Sequence, residues 1–118
     1  MWVLLQGNRL WFESSGMPWF IKTEAFTAET LQLPSDQRQE HIQTHRAWVE
    51  GCKRAGWKIV SGYLVDQQQR PGGGGLMFLQ APCFEDALQL IEQDPMIASG
   101  LVKWNLQEWI PVIGELMI

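Results

Sequence analysis

An α+β fold of element order βαββαβ is what this sequence predicts, on three observations. Two helical stripes, one over residues 35–55 and one opening at Cys83, each follow a strand-like run. A polar, glycine-rich stretch over 66–75 separates two further strand-like runs and has no helical pattern of its own. The chain has 118 residues, 46% of them hydrophobic, which supplies one core and little room for a second.

Residues 1–16 form an N-terminal extension, set off by the punctuation Gly16-Met17-Pro18, and the domain proper spans 17–118. The extension, with Trp2, Trp11 and Phe12, reads as a loose arm or an added edge strand. Trp19 to Phe26 is aromatic and β-branched with rough alternation, the mark of a first strand. After Pro34-Ser35 comes a run without proline that closes at Gly56. Ser35 suits an N-cap, and Lys53-Arg54 suit the negative end of the helix dipole. Its apolar stripe is Ile42, Trp48, Val49 and Cys52, and His45 falls on that stripe.

Trp57 to Val65 and Leu76 to Gln80 read as the second and third strands, joined by a flexible hairpin loop over 66–75. Ala81-Pro82-Cys83 opens a second helix with Phe84, Ala87, Leu88 and Ile91 inward. It ends at Asp94, because Pro95 disfavours helical geometry in the residue before it. Leu101 to Ile110 alternates as a last strand, with Val102, Trp104 and Leu106 on one face and Lys103, Asn105 and Gln107 on the other.

This order is the split βαβ, or ferredoxin-like, arrangement: an antiparallel sheet with both helices on one face. The uncovered face favours a two-fold homodimer whose sheets meet. A net charge of -4 argues against a nucleic-acid partner, since phosphate binding needs clustered cations and only Lys53-Arg54 sit together. Met1-Trp2-Val3-Leu4-Leu5 makes a poor signal peptide, no run is long enough for a membrane helix, and two unpatterned cysteines fit a reducing cytoplasm.

Chemistry concentrates in His45 and Asp94, two polar residues on apolar stripes. Each sits about 16 Å up its helix, so the two should be level. A carboxylate buried without a partner costs several kcal/mol, and contact with the imidazole is the economical explanation. Together they make a general base: the carboxylate holds one ring N–H, and the other nitrogen is left for substrate. The competing reading makes His45 a satisfied core residue and Asp94-Pro95 an N-cap and first residue of a short turn over 96–100.

The run from His45 through Gly56 to Ser61-Gly62, then Ala87 and Asp94-Pro95-Met96-Ile97-Ala98-Ser99-Gly100, resembles the YCII-related family of the dimeric α+β barrel superfamily, over residues 17 to about 111. The resemblance implies a catalytic dyad of His45 and Asp94 in a pocket completed by dimerisation. It also implies kinship with proteins that process small ring compounds, including removal of halide, or isomerise lactones. Where the family often carries Gly-Pro, this chain has Gly62-Tyr63.

The remaining signals have plainer explanations. His41 and His45 are spaced for one metal but lack a third ligand, so no metal is expected. Gly72 to Gly75 lead into a strand, which suits a flexible loop better than a phosphate cradle. Cys83 at a helix start is opposed by Glu85 and Asp86, and Cys52 reads as core. Trp48, Trp57 and Trp104 fit a core, and Trp19 and Trp109 a subunit contact. Ser61, Asn105 and Gln107 are the expected polar lining of the pocket. The expected function is acid/base chemistry on a small metabolite without a cofactor, by proton abstraction, elimination or isomerisation. The alternative is a dimeric module that binds a small ligand without catalysis.

Overall fold

The computed structural model describes residues 16–116. The extension expected over 1–16 therefore lies, apart from Gly16, outside the described residues. Strand β1 spans Trp19–Phe26, and a single turn α1, Ala28–Leu31, follows it. The long helix α2 is Ser35–Arg54, and the hairpin strands β2 and β3 are Ile59–Val65 and Pro71–Gln80. Helix α3 is Phe84–Ile91, α4 is Pro95–Ala98, and β4 is Val102–Trp109.

Antiparallel pairing gives the sheet order β2-β3-β1-β4, so the first strand and the third lie at its centre. Alternation along β1 turns Phe20 and Lys22 to one face, where both are buried. Met77 and Leu79 of β3, Ile59 of β2 and Leu106 of β4 share that face. They pack against Val49 and Cys52 of α2 and Ala87 and Ile91 of α3. Both helices thus cover one side of the sheet, as an α+β ferredoxin-like fold requires. Among the described residues no helix is long and apolar enough to cross a membrane.

Several local expectations change. Pro34, not Ser35, occupies the N-cap of α2 and makes no side-chain cap, while Ser35 is the first helical residue. Thr27 caps the unforeseen turn α1, its hydroxyl accepting from the Thr30 amide at 3.1 Å. The hairpin turn is shorter than expected because Asp66 ties it, accepting from the amides of Gln68 and Arg70 and from the Arg70 guanidinium. Gly72 to Gly75 consequently belong to β3 and are not a loop. Trp48 and Trp57 pack on the core, whereas Trp104 is 37% exposed, because β4 is an edge strand and its helix-side surface is only partly covered.

The glycines have steric reasons to be there. Gly73 has φ +82°, and a Cβ on it would stand 3.2 Å from side-chain carbons of both Leu31 and Phe26. A Cβ on Gly75 would stand 3.2 Å from the Gly62 carbonyl oxygen and 3.3 Å from Glu24 Cγ. Both glycines lie on the helix side of β3, since Gly75 pairs with Glu24, two residues beyond the buried Lys22. Their missing side chains leave open space above the sheet.

Candidate functional site

That space is a cavity of about 840 Å³ between the sheet and α2. Its floor is the helix-side row of three strands: Lys22 and Glu24 from β1, Gly73 and Gly75 from β3, Ser61 and Tyr63 from β2. Ile42, His45, Arg46 and Val49 of α2 form the wall, one helical face repeating at three- and four-residue intervals. Met96 of α4 contributes as well.

His45 and Asp94 meet in this wall. Imidazole Nδ1 lies 2.8 Å from Asp94 Oδ2, and Nε2 lies 3.1 Å from Ser61 Oγ on the floor. Asp94 is fully buried and His45 9% exposed. The expected meeting of two helical rods is not how the contact arises: α3 ends at Ile91, and Asp94 stands beyond it as the N-cap of α4. Its Oδ1 accepts from the Met96 amide at 3.0 Å while Oδ2 takes His45, so one carboxylate both caps a turn and holds an imidazole. Pro95 at the first helical position fixes that geometry.

Lys22 was not among the expected site residues. Its ammonium, 1% exposed, lies 3.3 Å from Asp94 Oδ2 and is paired with the Glu24 carboxylate. A buried ammonium needs such partners, because desolvating it alone costs several kcal/mol. Alternation from Phe20 already places Lys22 and Glu24 on the covered face, and that signal was there to be read. The polar side chains therefore run in a row from Glu24 through Lys22, Asp94 and His45 to Ser61.

Burial pushes the Asp94 carboxyl up. The hydrogen bond and charge of His45, the Lys22 ammonium and the Met96 amide outweigh it and hold the group below the usual carboxylate range. An ionised Asp94 only accepts, so Nδ1 carries a ring proton; in the uncharged imidazole Nε2 then holds a lone pair toward Ser61, and in the imidazolium both nitrogens donate. A carboxyl depressed in the folded state contributes stability above the unfolded-state value near pH 4, and the contribution is lost as pH falls through the folded value. Denaturant titration should show stability falling on acidification below about pH 4, with the fall flattened in Asp94→Asn. An unchanged slope in that variant would assign the acid sensitivity elsewhere.

Cys52, buried on α2, has its thiol pushed up by burial and then by the Asp94 charge, which disfavours a thiolate. Cys83 is exposed. Among the described residues, no group of three or more His, Cys, Asp or Glu side chains is placed to hold a metal ion.

Of the residues expected to line the pocket, Ser61 does so, but Asn105 and Gln107 do not. Asn105 pairs with Thr23 and Gln107 with Ile21, the β1 residues that alternate away from Lys22, so both point from the helix-free face. That face also presents Phe78 and Trp109, in ring contact at 5.7 Å, and Val60, 45% exposed. Trp19 faces Trp109 in register at its margin.

Over residues 20–110 the sequence matches the YCII-related domain. No functionally curated protein matches it. Among solved structures, the chain is similar to 5-chloro-2-hydroxyhydroquinone dehydrochlorinase from Burkholderia phenoliruptrix AC1100 in complex with 2,5-dihydroxybenzoquinone. The TM-score is 0.60 and identity 20%, covering 78% of this chain and 93% of that one. A dimeric ferredoxin-like protein from an uncultured marine organism aligns with TM-score 0.45 and 17% identity, over 83% and 99% of the two chains. At these identities the likeness to the dehydrochlorinase speaks for the fold.

Proposed function

This chain belongs to the YCII-related domain family, and on that premise we propose that it is an acid/base enzyme acting on a small oxygenated ring compound. The observation that carries the reading is the hydrogen-bonded series Asp94, His45, Ser61, which ends on the floor of a cavity large enough for such a ring. Ser61 Oγ stands where a substrate hydroxyl or acidic C–H would approach Nε2. His45 accepts that proton, and Asp94 steadies the imidazolium. The electron pair left on substrate then either expels a leaving group such as halide or shifts a double bond, and His45 returns its proton to the departing or rearranged atom.

Phe26, Ile42 and Tyr63 supply apolar surface for the ring. The dehydrochlorinase that shares the fold acts on a chlorinated hydroxyhydroquinone, and we carry that substrate class here as part of the proposal. Calorimetric titration with 2,5-dihydroxybenzoquinone should show binding that weakens at least about tenfold in His45→Gln, roughly 1.4 kcal/mol. Equal affinity in both proteins would count against the site.

We also infer a homodimer built on the helix-free face, where Ile21, Phe78 and Trp109 leave apolar surface uncovered. Asn105 and Gln107 would then belong to that interface. Light scattering should find a particle of twice the 13.6 kDa chain, and a monomer at micromolar concentration would refute it. Two free cysteines accord with a cytoplasmic setting.

A further inference from the structure

The same hydrogen-bond series carries a second chemistry, one that does not depend on the elimination or isomerisation reading. We propose that Ser61 is a nucleophile activated by His45 and Asp94, able to accept an acyl group from a small carboxylic ester or lactone. A nucleophilic hydroxyl needs a base within hydrogen-bond reach and a third group that orients the base. Ser61 Oγ lies 3.1 Å from His45 Nε2, and His45 Nδ1 lies 2.8 Å from Asp94 Oδ2. Asp94 is in turn held by Lys22 and by the Met96 amide, so the base cannot easily turn away. In the uncharged ring, with Nδ1 carrying the proton, Nε2 is the acceptor and the Ser61 hydroxyl is its donor.

Ser61 is partly exposed and lines the cavity, on an edge strand opposite Met77 and two residues from Tyr63, which pairs with Gly75. A cation also lines the cavity that Ser61 lines. Lys22 is engaged by Glu24 and Asp94, and Arg38 donates to the carbonyl oxygens of Leu31 and Leu33. Arg46, next to His45 on α2 and lining the same cavity, makes no hydrogen bond or ion pair among the described residues. It is the free positive charge of the wall.

In the reaction, Ser61 Oγ bonds to the carbonyl carbon as its proton passes to His45 Nε2. Collapse breaks the carbon–oxygen bond to the leaving alkoxide or phenoxide, which takes the proton from His45. Water then attacks the acyl-serine through the same base, releasing the acid and restoring the hydroxyl.

Incubating the full chain with a fluorophosphonate, and separately with p-nitrophenyl acetate, tests this when the adduct is located by peptide mass spectrometry. The phosphonate forms an Oγ–P bond with loss of fluoride, and the acetate forms the acetyl ester. Modification of Ser61 is expected in the native protein and not in the urea-unfolded chain. In His45→Gln it should be slower by about a hundredfold. Should that variant fail to fold, the native and unfolded chains still decide. Ser61 left unmodified by the fluorophosphonate in native protein, while a serine hydrolase control reacts fully, would overturn the proposal. So would equal modification in the unfolded chain or in a folded His45→Gln.

Discussion

Asp94→Ala should destabilise the protein by about 3–5 kcal/mol, the largest loss expected of any single substitution at the site. Three partners lose their carboxylate at once: the His45 ring, the Lys22 ammonium and the Met96 amide. Lys22 is 1% exposed and cannot reach water for compensation, though it keeps Glu24. The lost N-cap alone accounts for about 1 kcal/mol, and the stranded buried charge for most of the rest. For a domain of this size the melting temperature should drop by about 10–20 °C. Asp94→Asn retains a side-chain oxygen for the cap and the same volume, so it should lose less than half as much. If the two variants melt together within a degree or so, the charge on Asp94 is not what holds the cluster.

His45→Gln should lower turnover of a substrate by about 10²–10⁴-fold, the usual contribution of a general base. Stability should change far less, because the glutamine amide can still donate to Asp94 and the site is a cavity wall. That separation distinguishes the dyad from a structural pair. A purely structural histidine predicts the opposite: a large drop in melting temperature with the activity of the remaining folded protein unchanged. Stopped assays paired with thermal melts on the same preparations would show which occurs.

Much of this arrangement could be read from the chain, for identifiable physical reasons. The first strand is unambiguous because Trp19 to Phe26 combines aromatic content with alternation, and its bounds agree with the folded strand. The long helix is closed by Gly56 at φ +104°, a conformation open to glycine. His45 and Asp94 stand out because each interrupts an apolar stripe, and the folded chain brings them to 2.8 Å even though α3 stops short of Asp94. The capping role and the imidazole contact look like rivals in sequence. They coexist because a carboxylate has two oxygens.

What was hidden depends on tertiary pairing. Alternation sorts Asn105 and Gln107 from Val102 and Leu106 correctly, but says nothing about which face carries the cavity. Alternation puts Lys22 on the same face as Phe20, but its full burial follows only once β1 is recognised as central, with sheet on both sides and helices above. Gly73 and Gly75 look like loop residues by propensity, yet an inner strand needs no side chains to hold its ladder, and the cavity needs their absence.

Solvent deuterium incorporation, read together with halide release, reports directly on proton abstraction by His45. Wild type and His45→Gln, both verified as folded, would be incubated in D2O with a panel of hydroxylated, halogenated and lactone ring compounds. Wild type should release halide from a panel member or place deuterium on a ring carbon, and His45→Gln should do so at least about a hundredfold more slowly. Equal rates in the two proteins, or neither reaction from wild type across the whole panel, would contradict it.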